Sequence, residues 1–212
     1  MNNLNRKKIT VALSMLLILV AVFGTFTYMN KAKASGNVVI DGITWGFDIN
    51  ENNEAVNLYA PWDITTSTIT IPTEVTYKNV TYPVVSVGKT NVSNESSLFF
   101  GSLEPNTTVS FAQKDGKTSI TKINAYAFCG CTNIQSVNIP DSVTEIGDYA
   151  FYNCGRISSF TIPYDLTKIG KGAFEKCTSA TLTIENPNLV KENLVDSGIT
   201  FIVGCSNSTA RE

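Results

Sequence analysis

The 212-residue chain contains no histidine. That removes the side chain most often used for acid–base work near neutral pH, and the commonest metal ligand. No nucleophile elbow, phosphate-binding glycine loop or pair of facing carboxylates stands out. Gly46, Gly88 and Gly101 are isolated and read as turns. The sequence therefore offers no catalytic, cofactor-binding or metal-binding set. An enzyme would have to build its site in the irregular stretch Lys89–Ser119. Beyond residue 34 an excess of cations is missing as well. Residues 1–34 hold Arg6, Lys7, Lys8, Lys31 and Lys33 and no acidic residue. Taking these five from the 16 Lys and Arg leaves 11 against all 18 Asp and Glu, a formal net charge of −7 for the remainder. An acidic body is a poor match for phosphate backbones, so no nucleic-acid partner is expected.

The first segment reads as an address. Arg6-Lys7-Lys8 precede an uncharged apolar run from Ile9 to about Tyr28, and Ala32-Lys33-Ala34 supplies a small-x-small cleavage pattern with Ser35 next. The run is also long enough to remain as a membrane anchor, for which roughly 20 residues are needed. Both readings, a signal peptide or an anchor over residues 1–34, place the body outside the cytoplasm. Membrane contact is expected only through this segment.

What the chain does have is a repeat, and a repeat decides the fold class before any local pattern does. Three segments align: ITKINAYAFCGCTNIQSVNIPDS from Ile120, VTEIGDYAFYNCGRISSFTIPYD from Val143 and LTKIGKGAFEKCTSATLTIENPN from Leu166. Ile123, Ile146 and Ile169 are 23 apart, as are Ala127, Ala150 and Ala173, Phe128, Phe151 and Phe174, and Cys131, Cys154 and Cys177. Ile134 and Ile157, Val137 and Phe160, and Ile139 and Ile162 carry the match through two copies. The third copy loses a residue near Ala180, after which Leu182 and Ile184 take the apolar positions.

The spacing Ile134-x-x-Val137-x-Ile139 puts a short strand on one face, with alternate side chains inward. Pro140 and Pro163 stop each strand, because proline lacks the N–H of a continuing ladder. Val143-x-x-Ile146 reads as a second short extended segment on an opposite wall. Asn124, Gly147 and Gly170 follow it, and Gly and Asn tolerate positive φ, so a corner is expected there. Ala-Phe-x-x-Cys then reads as a helical or irregular turn that drives Phe inward. One unit cannot bury its own apolar side. Stacked units, about 4.8 Å apart at the strands, can do so as ladders of Ile on Ile and Phe on Phe.

The AFxxC…xxIP pattern, with IG before YAF, resembles the BspA-type leucine-rich repeat of surface proteins from bacteria and some parasitic protists. The resemblance is clear from Ile120 to about Pro187. It implies a repeat β-solenoid of leucine-rich-repeat type, with short parallel strands, irregular or short helical turns and a β-rich N-terminal cap. Upstream, Asp41-Gly42-Ile43-Thr44-Trp45 looks like the strand that opens such domains. Ile69-Thr70-Ile71-Pro72, Val75-Thr76-Tyr77 and Tyr82-Pro83-Val84-Val85-Ser86-Val87-Gly88 look like a diverged first turn. Leu98-Phe99-Phe100 and Val109-Ser110-Phe111 read as remnants of another. Gly204-Cys205-Ser206-Asn207-Ser208-Thr209-Ala210 resembles a closing motif, which leaves the cap cut short at Glu212. The organisation expected is therefore 1–34 leader or anchor, 35–119 cap and diverged repeats, 120–187 three repeats and 188–212 closing segment.

Cys129-Gly130-Cys131 could suggest metal or redox chemistry. Cys131, however, belongs to a ladder in which cysteine serves as a small buried hydrophobe. Export would permit a disulfide, but parallel Cβ vectors on neighbouring turns argue against closure, and five is an odd number. Sequons at Asn79, Asn91, Asn94, Asn106 and Asn207 arise cheaply in an Asn-, Ser- and Thr-rich chain. The remaining candidate is a surface. The outward strand positions are Gln135, Ser136 and Asn138, then Ser158, Ser159 and Thr161, with Thr181 and Thr183 beyond. All are uncharged and hydrogen-bonding. Strand alternation alone gives a polar outer face, whereas solenoids commonly use such faces for partners. The functions expected are an exported or cell-surface adhesion module for an extracellular protein or glycan, or a structural cell-envelope protein or truncated piece of a larger surface protein with no binding of its own.

Overall fold

The computed structural model describes residues 34–60, 64–88 and 103–184, and the strand 202–203. The apolar leader, Leu98-Phe99-Phe100, the closing motif with Cys205, and the sequons at Asn91, Asn94 and Asn207 lie outside the described residues. So do residues 89–102 of the stretch considered for an enzymatic site. Ala34 and Ser35, which flank the expected cleavage bond, are the first residues of β1. Among the described residues no helix is long and apolar enough to cross a membrane.

The N-terminal region opens with β1 (Ala34–Ile40) and β2 (Ile43–Ile49), an antiparallel hairpin closed by Asp41-Gly42. Both turn residues have positive φ, 51° and 78°, the type I′ geometry that matches strand twist. β3 (Ala55–Tyr59) pairs antiparallel with β2 across a register shift between Gly46 and Asp48. β4 (Thr68–Ile71) follows, then the hairpin β5 (Glu74–Tyr77) and β6 (Val80–Pro83), turned by Lys78-Asn79 at φ 51° and 63°. β7 (Ser86–Val87) completes the region. Asp41–Trp45 thus includes the start of an opening strand, as its resemblance implied. Trp45 and Phe47 on β2 are buried, and such rings supply much of the apolar area of a small cap.

Beyond it the chain alternates between two sets of strands. β8 (Thr107–Phe111), β10 (Ile134–Val137), β12 (Ser159–Ile162) and β14 (Thr181–Ile184) form one set, and β9 (Lys122–Ile123), β11 (Glu145–Ile146) and β13 (Lys168–Ile169) the other. The shorter strands join the cap in one seven-stranded sheet, ordered β1-β2-β3-β7-β9-β11-β13 and parallel from β3 onward. Leu58, Val87, Ile123, Ile146 and Ile169 are register partners along it, and all are buried. The longer strands form two three-stranded parallel sheets, β10-β8-β4 and β12-β14-β15, the last being Ile202–Val203. Val109-Ser110-Phe111 is therefore a wall strand, and Leu182 and Ile184 sit in register with Phe160 and Ile162.

The ladders read from the 23-residue spacing are present. Phe128, Phe151 and Phe174 are buried with nearly coplanar rings, centroids 4.9 Å apart at 3° and 5.5 Å apart at 4°. Phe160 packs its ring edgewise against Phe174 and tilted on Phe151. Pairs of this kind are worth about 0.5–1.5 kcal/mol beyond their buried area. Side-chain donors add a second set of ladders. Thr144 donates to the carbonyl of Thr121, Thr167 to that of Thr144, and Ser142 to that of Ile120. The thiols of Cys154 and Cys177 donate to the carbonyls of Phe128 and Phe151, each at 3.0 Å. Each of these bonds runs from a later turn back to the one before it.

Two expectations are corrected, and one open alternative is decided. Asn124, Gly147 and Gly170 do not form a positive-φ corner. The left-handed residues are Tyr126, Tyr149 and Gly172, and then Gly130, Asn153 and Lys176, each trio at one repeat position. Gly147 and Gly170 are small because the turns approach closely. A Cβ at Gly147 would lie 2.4 Å from the Ala125 backbone nitrogen, and one at Gly170 2.3 Å from that of Asp148. Of the two forms expected for the Ala-Phe-x-x-Cys segment, helical or irregular, the irregular one is found. It is a run of i to i+3 turns, with Ala127 bonded to Asn124, Cys129 to Tyr126 and Cys131 to Phe128, and the described residues contain no helix. Finally, the outer face spans two sheets, because no strand pairing joins β10 to β12.

Candidate functional site

The outward positions of the longer strands form two columns. One runs Thr68, Thr108, Ser136, Ser159, Thr181 and the other Thr70, Ser110, Asn138, Thr161, Thr183. Strand register aligns Thr68 with Thr108 and Thr70 with Ser110 on β4 and β8, Thr108 with Ser136 on β8 and β10, and Ser159 with Thr181 and Thr161 with Thr183 on β12 and β14. Ser136 to Ser159 and Asn138 to Thr161 bridge the two sheets by the 23-residue spacing alone. Inward neighbours Ile69, Val109, Val137, Phe160 and Leu182 are buried, so the period-two alternation fixes which residues face out.

Of the residues expected on the face, Gln135, Ser136, Asn138, Ser158, Ser159 and Thr161 are exposed, and Thr181 and Thr183 are half-buried. Ser136 and Thr108 approach to 3.5 Å through their hydroxyls, and Thr70 and Ser110 to 3.3 Å. Gln135 sits where the β8–β10 register shifts, and Ser158 lies just before β12, where its carbonyl accepts the Thr181 amide. Sequence reasoning missed Thr68, Thr70, Thr108 and Ser110. Their signal was present as Thr-Ile-Thr-Ile and Thr-Val-Ser-Phe, polar residues alternating with apolar ones. The loss of the full repeat around them hid their register with the later strands.

The opposite sheet solves the same problem of solvation differently. Lys122, Glu145 and Lys168 occupy one repeat position on β9, β11 and β13, with Glu145 3.0 Å from Lys122 and 2.7 Å from Lys168. Partial burial is the largest influence on the Glu145 carboxyl and opposes its ionisation. The hydrogen bonds and charges of Lys168 and Lys122 together outweigh it and hold the carboxyl below its usual range. The hydroxyl face carries no charge in any of its ten positions.

The four described cysteines are free thiols. Cys131, Cys154 and Cys177 line the core, and the neighbouring Cys177 thiol and burial hold Cys154 well above the ordinary thiol range. Burial pushes half-buried Cys129 up too. Cys154 and Cys129, so raised, are poor nucleophiles and poor metal ligands. Among the described residues, no three His, Cys, Asp or Glu side chains come together to hold a metal ion.

A polar network joins the cap to the first repeat. Asn124 donates to the Gly88 carbonyl at 2.6 Å and lies 3.3 Å from the Asn57 side-chain oxygen. Asn57 in turn donates to Asp48 at 2.9 Å, and its backbone N–H donates to Ser86. Asn124 is itself buried, and it seals this seam where its counterparts in later repeats are glycines.

The model of the BspA type leucine rich repeat region matches residues 106–196, in 6 copies. A leucine-rich repeat protein from Bacteroides capillosus is similar in structure, with a TM-score of 0.51 at 22% identity, over 71% of this chain and 99% of its own. A second, from Bacteroides ovatus, is 25% identical over 71% of this chain and 41% of its own, with a TM-score of 0.39. The pneumococcal vaccine antigen PcpA is 16% identical, again over 71% of this chain and 41% of its own, with a TM-score of 0.46. No curated protein matches the chain.

Proposed function

Because residues 106–196 match the BspA type leucine rich repeat region, we propose that the chain is an exported adhesion module, a leucine-rich-repeat solenoid that binds an extracellular protein or glycan. The observation that carries this reading is the two-column hydroxyl face of β4, β8, β10, β12 and β14. Repeat surfaces of this kind are extended and rigid, which suits them to partners rather than to chemistry. The face holds no carboxylate, amine or thiol for catalysis. Export rests on the leader of residues 1–34, followed by the cap to residue 119, the repeats to residue 187 and a closing segment.

The test uses the purified full chain against immobilised extracellular matrix proteins and bacterial and host cell surfaces. Replacing Ser136, Ser159 and Thr161 together by Lys is expected to lower retention at least tenfold, while thermal melts show the fold intact. Retention unchanged by those charges would move the site elsewhere. No retention by any surface would favour the structural role in the cell envelope. N-terminal sequencing of the protein recovered from the envelope and the medium separates cleavage at Ser35 from an intact anchor.

A further inference from the structure

The hydroxyl columns narrow the kind of partner that an adhesion module with this face would hold. Resting on that adhesion reading, we infer that the face takes an uncharged, extended polysaccharide laid across the strands, with successive sugar units meeting successive turns. Two observations separate this from a merely solvated face. The opposite sheet is solvated with Lys122, Glu145 and Lys168, so the fold tolerates charge on an outer face. On the hydroxyl face none of the ten positions is charged, and nine are Ser or Thr, although the body carries a strong net negative charge.

The composition also argues against a protein partner. Protein interfaces are enriched in Tyr, Trp, Met and Arg at their centres, with Ser and Thr under-represented among the residues that hold the energy. A face of hydroxyls offers no such anchor. Each hydroxyl donates one hydrogen bond and accepts others, which is the complement of a polyol whose own hydroxyls do the same. Within each of the two sheets the columns run across the strands with a repeat of about 4.8 Å, so a chain lying along them meets a like pair of groups at each paired strand. Contacts between Thr70 and Ser110 and between Ser136 and Thr108 hold neighbouring hydroxyls in place, which lowers the ordering cost of binding.

The experiment measures retention of the full chain on cellulose, mixed-linkage β-glucan and mannan, with polygalacturonate and heparin as charged controls. Binding to at least one neutral polysaccharide is expected, and it should be insensitive to sodium chloride. Affinity for its oligosaccharides should rise with chain length, since each added unit meets another turn. Thr70→Val with Thr161→Val removes one hydroxyl from each sheet while keeping a β-branched shape. It should weaken binding about tenfold with thermal unfolding unchanged. Binding confined to the anionic polymers, no gain with chain length, or full affinity in the double variant would each overturn the inference. If no neutral polysaccharide binds but protein capture is still abolished by the Lys replacements, the glycan fails and the adhesion face stands. If nothing binds in either experiment, both fail.

Discussion

The three regular turns and the N-terminal region reach the same end, a buried apolar interior, by opposite means. Between Ile120 and Ile184 burial comes from repetition, with Phe128, Phe151 and Phe174 or Ile123, Ile146 and Ile169 lying on copies of themselves. In the described residues between Ala34 and Gly88 the 23-residue copy is lost, although Leu58 and Val87 extend the isoleucine ladder and β4 pairs with β8. Two type I′ hairpins, the rings of Trp45 and Phe47 and the Asp48–Asn57–Asn124 network close the stack from outside. A ladder has two open ends and cannot terminate itself. Its cap must therefore be made of something else, and heterogeneity is what termination requires.

That contrast can be tested by damage. The largest effect is expected for Phe151→Ala, which removes a ring stacked on both sides and should cost about 3–5 kcal/mol in denaturant melts. A loss below about 1 kcal/mol would contradict the ladder. Gly147→Ala comes next, at about 1–3 kcal/mol, because its Cβ meets preceding backbone. Gly42→Ala in the cap has open space around the added Cβ and only a positive φ to oppose it, so roughly 1 kcal/mol is expected. Equal losses at the two glycines would erase the distinction between close approach and backbone conformation. Asn124→Ala should cost about 1–3 kcal/mol through buried partners left unpaired. Hydrogen exchange should then quicken in β1–β3 before it does in β11 and β13. Uniform quickening would mean that the seam does not separate the two regions.

The smallest effect is that of Glu145. Its folded carboxyl lies below the usual range, so its stabilisation is present above the unfolded value and is lost as pH falls through the folded one. The ion pairs are partly exposed, which limits the contribution to about 1 kcal/mol or less and makes it salt-sensitive. Glu145→Gln should remove that part of the acid dependence, and an identical stability–pH curve would show that the charges are idle.

The interior ladders were legible because a 23-residue period states directly which residues share a position. Gly147 and Gly170 were misread for a physical reason. Positive φ and close backbone approach both select glycine, and the distance between turns alone tells them apart. Thr121, Thr144 and Thr167 repeat as faithfully as the isoleucines, but a polar residue in an alternating strand reads as solvated until its hydroxyl is seen on a carbonyl. The face was half legible. Ser136 and Ser159 follow from the spacing, whereas Thr70 and Ser110 depend on the parallel pairing of β4 with β8, across a separation that no repeat marks.

The side-chain bonds between turns share one direction. Thr144, Thr167, Cys154 and Cys177 all donate to carbonyls of the turn that precedes them. The backbone amides of the turns donate the other way, Phe128 to the carbonyl of Ala150 and Phe151 to that of Ala173. Neighbouring turns are therefore clasped from both sides, and each is at once the donor and the acceptor of its neighbour.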